Sequence, residues 1–231
     1  MLPILFEDNH LIAVEKPSGL PSQLTPDGRK GAEDIVRELI EKREGKPGKA
    51  FVHVVHRLDT AASGILLLAK TSKALSRLSE AIREKKIQKR YVALVEGTMQ
   101  VEKNKRFIDY MRHSSRKAAP SDTEGKKAEL EIIDSVLLAD KTTLLLIELI
   151  TGRYHQIRFQ LSQRGFPIVG DTKYGSQKTY KPGKICLHHA FLSFPHPTLK
   201  NEITLHSLPH WNDSVSKQIS LFDCLYTHPD R

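Results

Sequence analysis

The sequence predicts an α+β fold built on a mixed sheet, and three observations carry that expectation. Runs of branched aliphatics at 65–68, 91–95 and 142–150 are too apolar for surface elements and read as buried strands. Ala32, Ile35, Val36, Leu39 and Ile40, and again Leu75, Leu78 and Ile82, recur at helical spacing. Strands and helices do not alternate strictly, and two strands are joined by a turn short enough for an antiparallel pair, which favours α+β over a doubly wound arrangement.

The chain opens as a hairpin: residues 4–7, a turn at Asp8-Asn9-His10, then 11–16, closed by Pro17-Ser18-Gly19. A polar loop over 21–30 leads to the first helix, which begins near Ala32 and is stopped by Glu44-Gly45 and Pro47-Gly48. After the block from Val52 to Lys70, Ser72 is the expected N-cap of a second helix with Leu75, Leu78 and Ile82 inward and Arg77, Arg83, Lys85 and Lys86 outward. The next strand covers 91–96 and ends at Gly97.

Residues 101–127 lose periodicity and carry Lys103, Lys105, Arg106, Arg112, Arg116, Lys117, Lys126 and Lys127 among Ser, Pro and Gly, so most of this stretch is expected to be loop. Strands over 128–138 and 142–150 follow, with a turn at Ala139-Asp140-Lys141. Thr151-Gly152-Arg153 leads into a third helix with Ile157 and Leu161 inward, halted at Arg164-Gly165; short strands at 191–194 and 202–205 complete the pattern. There is no internal repeat and no low-complexity tract.

Lysine and arginine outnumber aspartate and glutamate by 36 to 27, a formal charge of +9 that favours a polyanionic partner, although a basic enzyme indifferent to nucleic acid is also compatible with charge alone. Cys186 and Cys224 are too few for a disulfide framework or a four-cysteine zinc site, so a reducing cytoplasm is the expected compartment. The start lacks a basic n-region, and no apolar run approaches the roughly 18 residues of a membrane span, so neither a signal peptide nor a membrane segment is expected.

The most informative stretch is His56-Arg57-Leu58-Asp59-Thr60-Ala61-Ala62-Ser63-Gly64, running straight into Ile65-Leu66-Leu67-Leu68. It sets an acid and a guanidinium on a small-residue turn against a buried strand, which is how an active-site loop is positioned. Three more blocks place charged or aromatic residues beside glycine turns: Lys89-Arg90-Tyr91 with Gly97, Thr151 to Arg158, and Gly170-Asp171-Thr172-Lys173-Tyr174-Gly175. Taken singly each has an ordinary structural explanation, such as a surface ion pair or strand packing. His53-x-x-His56 and Cys186-x-His188-His189 lack the companion ligands of a metal site. G-x-S-x-G, a Walker loop and G-x-G-x-x-G are all absent.

Together, in order, the blocks resemble the RluA-type pseudouridine synthases, which isomerise uridines within RNA. His56 to Gly64 is similar to the family's His-Arg-Leu-Asp-x-x-x-Ser-Gly hallmark, residues 89–97 to its tyrosine motif, and Thr151 to Arg158 to its Thr-Gly-Arg-x-His-Gln-Ile-Arg motif. Lys16-Pro17-Ser18-Gly19, residues 170–175 and Leu187-His188-His189-Ala190 resemble lesser signatures, so the likeness covers about residues 5 to 210. Ala62 stands where the family usually has Thr, and Gln160 where a histidine is common.

The resemblance implies a mixed, largely antiparallel sheet bent around a central cleft with flanking helices, as one catalytic domain over 1–231 with a tail of unknown role at 212–231. It assigns Asp59 as the carboxylate that attacks covalently or removes a sugar proton, Tyr91 as the aromatic that stacks on uracil, and Arg158 as the cation paired with Asp59. It implies RNA contacts from Arg57, which would fill the space left by a flipped base, and from His56, Lys16, Arg90, Arg153, His155 and Gln156. The isomerisation adds and loses nothing overall, so neither cofactor nor metal is expected. The expected partner is ribosomal RNA in preference to tRNA, the expected state a monomer. No accessory RNA-binding domain is expected before the motifs, so recognition is expected from basic loops of the catalytic domain. The alternative from another class is a non-catalytic RNA-binding or ribosome-assembly protein, from which the retention of Asp59, Tyr91 and Arg158 together would distinguish an enzyme.

Overall fold

The computed structural model describes residues 2–45, 47–48, 50–114, 117–121, 125–211, 215, 218–219 and 222. The chain forms two compact units, Met1–Ile87 with Phe191–Ser207 and Gln88–Ala190 with Leu208–Arg231.

In the first unit, β1 (Ile4–Glu7) and β2 (Leu11–Lys16) form the expected antiparallel hairpin. Its turn is fixed by the Asp8 carboxylate, which accepts the backbone N–H groups of His10 and Leu11 at 2.7 Å each. α1 (Ala32–Glu44) ends where the sequence predicts: Gly45 adopts φ 65° and donates its N–H to the Glu41 carbonyl, a left-handed cap that a side chain would resist. β3 (His53–Val54) and β2 both pair antiparallel with β4 (Ser63–Ala69), the register running from Leu11 opposite Ala69 to Lys16 opposite Gly64. α2 (Ser72–Arg83) follows, but its cap is Thr71 rather than the expected Ser72, because the Thr71 hydroxyl accepts the Ala74 N–H at 3.1 Å. Leu11, Ala13, Ile65, Leu67, Ala74 and Leu78 pack with Leu192, Phe194 and Leu205 into the core of this unit.

The second unit is an antiparallel array. β5 (Gln88–Glu96), β6 (Lys105–Ser114), β7 (Lys117–Pro120), β8 (Lys126–Leu137) and β9 (Thr142–Leu149) lie in the spatial order β5-β9-β8-β6-β7. The expectation of a loop over most of 101–127 is corrected here, since β6, β7 and the start of β8 occupy it; Arg116 lies outside the described residues. The alternation was hidden because β6 sets buried Phe107 and Met111 against Arg106, Ile108, Tyr110 and Arg112, a mixed outward set that does not read as a polar face. α3 (Gln156–Ser162) packs on this array through Phe159, beside Met111, Ala118, Ala128 and Tyr174.

The unit boundary falls inside β10 (Leu187–Pro195), whose second half pairs with β11 (Glu202–His206). Most of the 212–231 tail lies outside the described residues. Among the described residues, no helix is long and apolar enough to cross a membrane.

Candidate active site

In the first unit, the loop between β3 and β4 carries Arg57 exposed and Asp59 half-buried, on either side of the buried Leu58. The loop is held by its backbone. The Ser22 hydroxyl accepts the Leu58 N–H at 3.0 Å and donates to the Leu58 carbonyl at 2.8 Å, and Gly19 donates its N–H to the Thr60 carbonyl at 2.7 Å. Ala62 N–H returns to the Asp59 carbonyl at 3.1 Å, closing the turn, and Gly64 follows at φ 118°, a conformation that explains why glycine ends this motif. His56 accepts the Leu67 N–H on its Nε2 at 3.3 Å, tying the start of the loop to β4.

Lys16 lies beneath this loop. Its ammonium is fully buried and donates to the carbonyls of Pro17, Leu20 and Ala62 at 3.0, 2.8 and 2.6 Å, so it joins β2, the loop after it and the Asp59 turn. Burial pulls its pKa down to about 7, against the opposing pull of the Asp59 charge. No part of the Lys16 side chain reaches solvent.

In the second unit, Tyr91 sits on β5 almost wholly buried, one ring face stacked on His189 with centroids 4.5 Å apart and planes at 18°. Arg158, on α3, is also buried. Its Nε and Nη2 donate to the two Asp171 oxygens at 2.7 and 2.8 Å, a bidentate fork, and its Nη1 lies 3.0 Å from His155 Nε2. His155 is held at φ 53° with Nδ1 3.0 Å from the Tyr174 hydroxyl, and the Tyr174 ring lies 5.0 Å beneath the Arg158 guanidinium. Tyr174 is anchored in turn by the Ala118 N–H, donated to its hydroxyl at 2.8 Å. Arg158 therefore arrives pre-oriented by an acid, an imidazole and an aromatic face.

The remaining expected RNA contacts separate by exposure. Arg57 and Arg153 are exposed, and His56 and His155 half-buried. Arg90 and Gln156 are buried. Arg90 Nε lies 3.5 Å from Glu148 across the β5–β9 pair. The Gln156 amide brackets the turn before α3, accepting from the Thr151 hydroxyl and the Arg153 N–H at 2.7 and 3.0 Å and donating to the Glu129 carbonyl at 3.1 Å. Gln160 is fully buried, with its Nε2 donating to the Asp109 carboxylate at 2.6 Å and to the Phe107 carbonyl at 3.2 Å, which fastens α3 to β6.

Sequence reasoning flagged the 170–175 block without a role for Asp171 or Tyr174, and the signal available was an acid beside a Gly turn with an aromatic three residues on. Ser22 and His189 had no signal as loop clamp and ring partner. Burial draws the Lys89 ammonium below the usual lysine range beside the Gly152 turn. Among the described residues, no group of three or more His, Cys, Asp and Glu side chains could hold a metal ion.

The model of the RNA pseudouridylate synthase family matches residues 10–163, which include the Asp59 loop, Tyr91 and Arg158. The chain belongs to the RNA pseudouridylate synthase family. Among its curated relatives, ribosomal large subunit pseudouridine synthase C of Buchnera aphidicola subsp. Baizongia pistaciae is 34% identical over 212 residues, covering 87% of this chain and 65% of the relative. An RNA pseudouridine synthase of Bacillus subtilis is 34% identical over 213 residues, covering 89% and 72%. The chain thus spans a little under two thirds of the length of the Buchnera relative. The family's fold is also found in the solved human RNA pseudouridylate synthase domain containing 1, with a TM-score of 0.74 at 21% identity over 100% of this chain and 97% of that one.

Proposed function

We propose that this protein is an RNA pseudouridine synthase that isomerises uridine to pseudouridine in large-subunit (23S) ribosomal RNA, with Asp59 as its catalytic carboxylate. The observation that carries the reading is the clamped Asp59 loop: an acid two residues from an exposed arginine, fixed by Ser22 and the buried Lys16, in a chain of this family. The ribosomal target is supported by the names of relatives such as the Buchnera enzyme.

In this mechanism the target uridine leaves its stack and Arg57 occupies the vacated space; flipping costs a few kcal/mol, offset by cationic contacts to phosphate. Asp59, half-buried and acting as carboxylate, attacks the sugar or removes a sugar proton as the N1–C1′ bond breaks. The uracil turns and C5 bonds to C1′ while the Asp59–C1′ bond breaks or, in the other route, Asp59 returns the sugar proton; the C5 proton passes to solvent and N1 takes up a proton, so the atoms balance without a cofactor. Tyr91, whose ring is stacked on His189, is the aromatic that meets the uracil. Arg158, pre-oriented by Asp171, supplies a fixed positive charge to the reaction. The enzyme acts in the cytoplasm as a monomer.

The test is tritium release from rRNA and tRNA transcripts carrying uridine labelled at C5. Wild type is expected to release tritium from the ribosomal transcript, and Asp59→Ala to release none while binding the RNA with nearly unchanged affinity. Pseudouridine formed by Asp59→Ala would overturn the assignment of the carboxylate. Binding without release by the wild type on either RNA would favour a non-catalytic RNA-binding protein.

A further inference from the structure

β5 carries Lys89 and Tyr91 on one face. Side chains two apart along a strand share a face, roughly 7 Å from each other, so these two are neighbours while Arg90 faces the other way, 3.5 Å from Glu148 of β9. Lys16 and Lys89 are both withdrawn from water, Lys16 wholly and Lys89 in part, and they are wired differently. Lys16 donates to three carbonyls, which is what a lysine that serves the fold requires. The Lys89 ammonium has no hydrogen-bond or ion-pair partner among the described residues. Burial alone draws it below the usual lysine range, with no carboxylate acting against that effect. A cation held out of water without a partner is unfavourable to the fold, and such local conflicts are kept where function needs them.

The turn after β9 leaves this ammonium uncovered. Gly152 is exposed and its φ lies outside the left-handed region, so the backbone does not call for glycine there. Crowding does not call for it either. Beyond its chain neighbours, the only described atom within 4 Å of where a Gly152 β-carbon would stand is Lys89 Nζ, at 3.7 Å, an ordinary contact distance. A side chain at 152 would therefore fit, and it would cover the ammonium. The turn is also held from both sides: the Thr151 hydroxyl and the Arg153 N–H donate to Gln156 Oε1 at 2.7 and 3.0 Å, and the Glu129 N–H donates to the Thr151 hydroxyl at 2.8 Å. The gap beside Lys89 is thus built into the second unit.

We propose that Lys89, with the gap at Gly152, is an anion site that takes a backbone phosphate of the substrate RNA. The proposal deepens the pseudouridine synthase reading and rests on it for the identity of the polyanion. Lys89 and Tyr91 serve one nucleotide: when the base meets the Tyr91 ring, its phosphate comes within reach of the ammonium. The phosphate supplies the charge that the fold withholds, through a charge-assisted hydrogen bond made only in the complex.

The experiment pairs urea unfolding with fluorescence anisotropy of a labelled oligouridylate of about 20 nucleotides, titrated between about 50 and 200 mM salt. Lys89→Met is expected to keep or raise the urea midpoint, because it removes a buried charge without stranding a partner. It should also lower the slope of log affinity against log salt by about 0.7, one phosphate contact on a single strand. Gly152→Val leaves the net charge unchanged but covers the ammonium, and should lower the slope by about the same 0.7. A purely structural lysine gives the opposite pattern, a lowered midpoint with the slope intact. For Lys89→Met, a wild-type slope or a midpoint below wild type overturns the proposal, as does a wild-type protein that fails to bind the oligonucleotide. A wild-type slope in Gly152→Val overturns it too, and Lys89→Met decides alone if Gly152→Val does not unfold cooperatively. Absence of tritium release by wild type would sink the enzymatic reading while leaving this binding result intact, so the two fail separately.

Discussion

Asp171→Ala puts the orientation of Arg158 to the test. The Arg158 side chain is 6% exposed and that of Asp171 1%, so both charges are withdrawn from water and their two hydrogen bonds, at 2.7 and 2.8 Å, form a parallel fork. Removing one partner of such a pair strands the other charge and costs about 3–5 kcal/mol. Asp171→Asn keeps one oxygen for the fork and should fall at or below the lower end of that range. Combining Asp171→Leu with Arg158→Met should recover most of the loss, because no buried charge is left alone. Urea unfolding at neutral pH of the wild type, of each single replacement and of the combined variant gives the cycle. A coupling of at least about 1 kcal/mol is expected for groups in direct contact within one network. If Asp171→Ala costs less than about 1 kcal/mol, or the effects simply add, the buried pair is not what fixes Arg158 and the reasoning fails.

Two pH effects follow from other groups. For Lys16, whose folded pKa is lowered to about 7 by burial, the unfolded chain binds more protons than the folded one between about pH 7 and 10.5, so this residue makes stability rise with pH across that window. Lys16→Met should lower stability by leaving the Pro17, Leu20 and Ala62 carbonyls without their donor, and should remove a slope of at most about 1.4 kcal/mol per pH unit from urea midpoints between about pH 7.5 and 9.5. An identical slope in both proteins would refute this. Glu7 is shifted the other way, to about 2, chiefly by its hydrogen bond from Arg43 and also by Lys70. Its stabilisation is present above pH 4.5 and is lost as pH falls towards 2. With Arg43 half-exposed, Glu7→Gln should cost of order 1–3 kcal/mol at neutral pH and flatten the acid limb of the unfolding curve.

Much of the secondary structure was legible because its signals are local. The hairpin at the start, α1 with its Gly45 stop, and the antiparallel strands β8 and β9 follow from apolar spacing and turn residues alone. The 101–127 stretch was not legible, because its outward side chains include Ile108 and Tyr110 and so blur the contrast between inner and outer positions. Motif residues were found as chemical types in order, which is a property of the chain. Whether a lysine or arginine in a motif faces solvent is not, and Lys16 and Arg90 both lie buried.

By itself, the sequence determined the α+β class, the order of its helices and of the strands outside 101–127, and the acid, tyrosine and arginine on which the family resemblance rests. Tertiary structure alone decided that Ser22 clamps Leu58, that Lys16 lies buried under the Asp59 turn, and that Asp171, His155 and Tyr174 converge on Arg158. The physical reason is range: helical and strand periodicities are set within a few residues, whereas desolvation and hydrogen-bond partnership depend on segments brought together from distant positions, such as Ser22 to Leu58 or Tyr174 to Ala118.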